Sequence, residues 1–157
     1  MSPAGWPTAA KVLAQEARLS LPSCSEADAL AIGRWLLAAA EARSLAVTIE
    51  AWHGDRLVFR AARPGTNAHN DLYLAGKRRV VRHFGHSSFY ERLRHEEAGT
   101  SFAEATSLRF PDYAPHGGGF PLSVAGTGVV GVVLVSGLPQ EQDHALIVEA
   151  LEAFLAR

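Results

Sequence analysis

Residues 46–62, AVTIEAWHGDRLVFRAA, decide the fold class. Val47, Ile49 and Ala51 alternate with Thr48, Glu50 and Trp52, the period-two pattern of a strand that turns one face to a core. Gly54-Asp55 breaks the alternation as a tight two-residue turn, with Gly54 able to adopt the positive φ that such turns need. Leu57 onward then reads as a second strand. A two-residue loop can join only antiparallel neighbours, so this stretch commits the chain to an antiparallel sheet.

A second hairpin lies downstream. Phe120 to Val124 reads as a strand, Gly126-Thr127-Gly128 turns it, and residues 129–136, VVGVVLVS, are so uniformly β-branched that the pattern predicts a central strand covered on both faces. Leu19 and Leu21 alternate ahead of Pro22 and predict a short edge strand. Helices fill the intervals. Thr8 to Ala17 has helical spacing, and Ser25 opens a long helix with Asp28 in a capping-box position and Ala29, Gly33, Leu36, Leu37 and Ala40 as its apolar stripe. Asn67 caps a helix that runs to Gly85, and Ser88 with Glu91 forms an S-x-x-E box for the next helix, which ends near Gly99. Residues 100–115 lack sustained periodicity and read as a long loop with at most short structure. Pro139 suits the first turn of a last helix, which buries Ile147, Leu151, Phe154 and Leu155. The order predicts one α+β domain spanning 1–157, an antiparallel five-stranded sheet with helices on both faces.

The 157 residues carry a formal net charge of −1, which gives no electrostatic reason to expect nucleic acid or an anionic membrane as partner. Lys77-Arg78-Arg79 with Arg82 is a basic cluster without the interleaved aromatics of a nucleic-acid surface. Cys24 is the sole cysteine, which suits a reducing compartment, and no apolar run reaches membrane-spanning length, so the expected location is cytoplasmic.

Chemistry-bearing residues concentrate in three stretches. In YAPHGGGFPL, residues 113–122, three glycines follow His116. They permit either a sharp exit from loop to strand or close approach of backbone N–H groups to an anionic or planar ligand. No phosphate-loop lysine follows them. Asn70, Asp71 and Lys77 lie on one helix, with Asn70 and Lys77 two turns apart on a shared face. The second hairpin, by its connectivity, brings residues 116–119 beside residues 137–144 at one end of the sheet, where the last helix also begins. His116, Asp143 and His144 are therefore expected to line one polar site, with Gly117 and Gly118 folding over it and the helix start favouring an anion. Ser87-Ser88 reads as helix capping. His83 and His86 are separated by Gly85, and no third ligand accompanies His116 and His144 at metal spacing, so no metal is assigned.

The segments NDLYLAGKRRVVRHFGHSS, YAPHGGGFPL and VVGVVLVSGLPQEQDHALIVEAL together resemble the haem-degrading-domain family, in its branch of short stand-alone proteins, over about residues 19–155. The resemblance selects Asn70, Asp71, Lys77, Ser87, Ser88, His116, Gly117, Gly118, Phe120, Pro121, Gly137, Asp143 and His144. It implies a five-stranded antiparallel sheet and a homo-oligomer. Some members of the wider family bind or degrade haem, so haem is an implied ligand, with Lys77 or Arg78 as partners for its propionates and no histidine assigned to its iron. Tyr73 stands where the branch has tryptophan, and Ala75-Gly76 replaces a more basic approach to Lys77. The resemblance leaves catalysis open. Its alternative is a non-catalytic assembly or interaction module in which the same polar residues lock subunits together.

Overall fold

The computed structural model describes residues 2–157. The elements follow as α1 (Ala9–Arg18), α2 (Glu26–Ala42), β1 (Thr48–His53), β2 (Arg56–Ala62), α3 (Ala68–Phe84), α4 (Ser88–Glu97), α5 (Phe102–Thr106), β3 (Gly119–Val124), β4 (Gly128–Ser136) and α6 (Gln140–Leu155). Both hairpins form as the alternation requires, and the antiparallel pairing of β1 with β4 joins them into a sheet of order β2-β1-β4-β3.

Among the described residues the sheet has four strands, not the five that the sequence predicts. The fifth shrinks to one parallel bridge, in which Leu21 N–H donates to Ser123 O at 2.8 Å and Leu21 O accepts from Ala125 N–H at 3.0 Å. Its neighbours prevent extension. Leu19 N–H is still bonded to the carbonyl of Gln15 at the end of α1, and Pro22 has no N–H to donate.

Helices cover both faces. On one side Ile49, Phe120, Leu122, Val133 and Val135 pack with Ile32 and Leu36 of α2 and Ile147 and Leu151 of α6. On the other, Val132 and Leu134 meet Leu74 and Val81 of α3, with Trp52 at the margin. Adjacent residues of β4 thus point into different cores, which is why its sequence is apolar without alternation. Towards the start of α3 the second face turns polar: Thr48, Glu50 and Ser136 are all buried there. Arg60 of β2 bridges Glu50 and Asp71, tying that end of α3 to the sheet.

The caps at Ser25, Asn67 and Gly85 form as expected, Gly85 at φ 72°. The α4 cap shifts by one residue. Ser87, not Ser88, accepts from Tyr90 N–H at 3.1 Å. That releases the Ser88 hydroxyl, which donates to His116 O at 2.5 Å and accepts from Gly119 N–H at 2.9 Å.

Candidate functional site: a cleft between the third and sixth helices

The face of α3 carrying His69, Asn70, Tyr73 and Lys77 stands opposite the turn from β4 into α6, and His116 closes the space between them. The cleft has a volume of about 270 Å³, and Ser136, Gly137, Leu138, Gln140 and Asp143 complete its lining.

Lys77 and Asp143 form its floor. Lys77 Nζ donates to Val135 O at 2.9 Å and contacts Asp143 Oδ2 at 3.4 Å, and the two residues are only 2% exposed. Asp143 sits one turn inside α6 and reaches back, its Oδ1 accepting from Leu138 N–H at 3.0 Å and its Oδ2 from Gly137 N–H at 3.4 Å. It therefore holds the turn that Pro139, with no side-chain cap of its own, cannot hold. Burial dominates the titration of both partners. It raises the Asp143 carboxyl to about 6 against the opposing pull of Lys77 and the backbone N–H groups, and it lowers the Lys77 amine despite the attraction of Asp143.

The glycine run takes its composition from this pair. A Cβ on Gly118, whose φ is +118°, would stand 2.7 Å from Lys77 Nζ and drive into Val135 O. A Cβ on Gly117 would enter the Gln140 backbone, and one on Gly119 would lie 2.9 Å from Ser88 Oγ. Gly117 N–H donates to Gln140 Oε1 at 3.1 Å and Gly118 O accepts from Val135 N–H at 2.8 Å. Gly117 and Gly118 thus back the floor from behind and do not line the cleft.

The His116 ring packs edge-on to Tyr73 at 5.3 Å and near Phe110 at 6.4 Å. Its Nδ1 is buried without a partner, and Nε2 makes no hydrogen bond among the described residues. Desolvation, with Arg92 and Lys77 adding like-charge repulsion, lowers its pKa to about 4, so the ring is neutral near pH 7.

Of the residues singled out in the sequence, Asn70, Lys77, His116 and Asp143 meet in this cleft. His144 does not. It follows Asp143 directly on α6 and so points to another side of the helix, where its ring lies 5.2 Å from Phe89 and 5.7 Å from Phe120. Its Nε2 is 2.7 Å from Gln15 Oε1, and burial lowers its pKa to about 4. Asp143 accordingly pairs with a lysine, where the sequence suggested a histidine. His69, Ser136 and Gln140 complete the cleft unannounced, and Tyr73, noted in the sequence only as a departure from the family pattern, joins them. The helical spacing of His69, Tyr73 and Lys77 was the available signal. Among the described residues no three His, Cys, Asp or Glu side chains are placed to hold a metal. The arrangement offers amide and phenol hydrogen-bonding groups, a neutral imidazole and a buried amine–carboxyl pair.

The match to a family model described as haem degrading protein HbpS-like runs over residues 24–152, most of the chain and all of this cleft. The chain belongs to the HbpS-like haem-degrading protein family. It is similar to a UPF0303 protein of Streptomyces avermitilis, 46% identical over 151 residues that cover 96% of this chain and 93% of the relative. The solved structure of the Ybr137w protein matches with a TM-score of 0.83 at 26% identity, covering 94% of this chain and 87% of that one. A PduOC:heme complex matches with a TM-score of 0.69 over 83% of this chain and 94% of that one; at 17% identity it shows the shared fold.

Proposed function

We propose that the cleft binds a small, planar or anionic, hydrogen-bonding ligand. One observation carries the reading: a buried amine–carboxyl pair opens onto a space walled by Tyr73 and a neutral His116 whose ring nitrogens have no partner among the described residues. Desolvated polar groups facing a concave space are costly in a purely structural role and useful to a ligand. The interface alternative is weaker at this spot, because Lys77 and Asp143 are already buried within a single chain. The family resemblance supports a homo-oligomer, which light scattering would test.

A second reading, haem at this site, is favoured by His116, since a neutral imidazole is the form that donates to iron. The family's description and the haem-bound structural neighbour point the same way. The rest of the cleft does not fit an enclosed haem. Its volume of about 270 Å³ lies below the roughly 300–1,000 Å³ typical of pockets for drug-sized ligands. Lys77 is engaged with Asp143, and Arg78 lies 3.7 Å over the Trp52 ring and beside Asp55, so neither is free for a propionate.

Native mass spectrometry of protein purified from its source, with a haemin titration alongside, separates the readings. The expected result is a retained adduct smaller than a porphyrin that is lost on Tyr73→Ala, with no saturable Soret shift. Absence of any retained adduct, or stoichiometric haemin binding that depends on His116, would overturn the small-ligand reading.

A further inference from the structure

Lys11 and Lys77 are the only lysines among fifteen basic residues, the others all being arginine. Lys11 is exposed on α1, whereas Lys77 is one of the largest fully buried side chains. A chain that, Lys11 aside, uses arginine for its cations has placed a lysine where the amine faces a cleft. Lysine differs from arginine in one chemical respect that matters here: its amine can lose a proton and become a nucleophile.

The hydrogen bonds at Nζ define what a neutral amine would do. An ammonium has three N–H groups, and the described contacts engage two acceptors, Val135 O at 2.9 Å and Asp143 Oδ2 at 3.4 Å. A neutral amine has two N–H groups for those two acceptors, and its remaining tetrahedral position is the lone pair. Gly118 closes the side of Nζ where even a Cβ would come within 2.7 Å, while the cleft lined by Tyr73 and His116 is the open side. Desolvation favours the neutral form in the same direction.

We propose that Lys77 forms an imine with a small carbonyl compound, an aldehyde or a 2-oxo acid, held in this cleft. The proposal rests on the cleft being a ligand site and names the class of ligand. A 2-oxo acid is small, planar and anionic, and Asn70 and Gln140 supply amide groups for its carboxylate at the cleft wall. In the addition step the Nζ lone pair forms a C–N bond as the carbonyl π pair moves onto oxygen, which takes up one proton while nitrogen releases one. In the second step the C–O bond breaks and the nitrogen lone pair closes the C=N bond. The oxygen leaves as water, carrying both hydrogens lost by the amine. No oxidant or reductant is needed. Asp143, in contact with Nζ and with its carboxyl raised to about 6, is placed to carry the proton between nitrogen and oxygen.

Reductive trapping tests this on the full chain. Protein is incubated with pyruvate or glyoxylate and sodium cyanoborohydride at pH 7, and adducts are located by intact mass and peptide mapping, with exposed Lys11 as the internal reference. Because a lowered pKa increases the neutral fraction of an amine at pH 7, trapping at Lys77 is expected to exceed that at Lys11, with the excess shrinking as pH rises. The Lys77 rate should saturate with probe concentration and weaken in Asn70→Ala. Modification of Lys11 and the terminal amine with none at Lys77 overturns the imine. In that case a saturable shift of the His116 ring resonances by pyruvate alone would leave the ligand cleft standing. Trapping at Lys77 that stays linear in probe concentration and is indifferent to Asn70→Ala would instead sink the ligand cleft, and with it the held carbonyl substrate.

Discussion

Replacing Lys77 by methionine keeps the length of the side chain and removes its amine, leaving Asp143 buried without its cation. The size of the effect follows from the Asp143 carboxyl. Its pKa stands at about 6 in the fold against 3.8 ordinarily, so at pH 7 the wild-type chain already bears about 3 kcal/mol for keeping it there. Without Lys77 it takes up a proton at neutral pH, and the most this can cost at pH 7, measured against the same 3.8, is about 4 kcal/mol. The carboxyl therefore adds about 1 kcal/mol at pH 7. Val135 O loses its Lys77 donor, a further loss of about 1–3 kcal/mol, partly offset because no amine has to be desolvated. The expected destabilisation is about 2–3 kcal/mol at pH 7 by denaturant unfolding.

The pH dependence is more specific than the size. A carboxyl whose folded pKa is raised loses stability as pH increases, so above pH 6 the Lys77→Met deficit should grow by about 1.4 kcal/mol per pH unit until the variant's own pKa is passed. Near pH 5 Asp143 is protonated in both proteins and this part of the deficit vanishes. Adding Asp143→Asn should remove the part of this rise above pH 6 that the variant's own carboxyl supplies. A deficit of equal size at pH 5 and pH 8, or none at either, would refute the buried pair as the origin.

Three further outcomes are expected. Gly118→Ala meets both a positive φ of +118° and the Val135 carbonyl, and should lower stability by about 2–4 kcal/mol; an unchanged thermal midpoint would show that the loop relaxes freely. Ser88→Ala removes the hydroxyl that joins His116 O to Gly119 N–H, so a loss of about 1–3 kcal/mol should come with faster amide exchange at Gly119, and unaltered exchange would contradict the link. His144 is held neutral by burial, with a pKa of about 4 against 6.5, so the unfolded chain binds more protons between those values. Stability present above pH 6.5 is lost as pH falls towards 4, by about 3 kcal/mol from this group, and His144→Gln should flatten that part of the stability profile.

The elements legible from the order of residues alone are those whose physics is local. Alternation at Val47, Ile49 and Ala51 needs only its own neighbours to specify a strand, Gly54 its own φ, and Asn67 and Ser25 their own first helical turns. The apolar run of β4 identified a central strand because both of its faces had to be covered. Connectivity alone brought residues 116–119 to the start of α6. Other decisions belonged to the tertiary structure. Whether Leu19 and Leu21 made a strand depended on how far α1 persisted and on what Pro22 could donate. Which of two adjacent serines capped α4 depended on a loop that claimed the other hydroxyl. Asp143 and His144 are neighbours in the chain, yet helix rotation sends one to Lys77 and the other to Gln15. The pairing of Lys77 with Asp143 spans 66 residues, and neither carries a local sign of its partner. A buried charge is placed by the desolvation and hydrogen bonds of its whole surroundings, and those exist only once α3, the glycine loop, β4 and α6 have packed together.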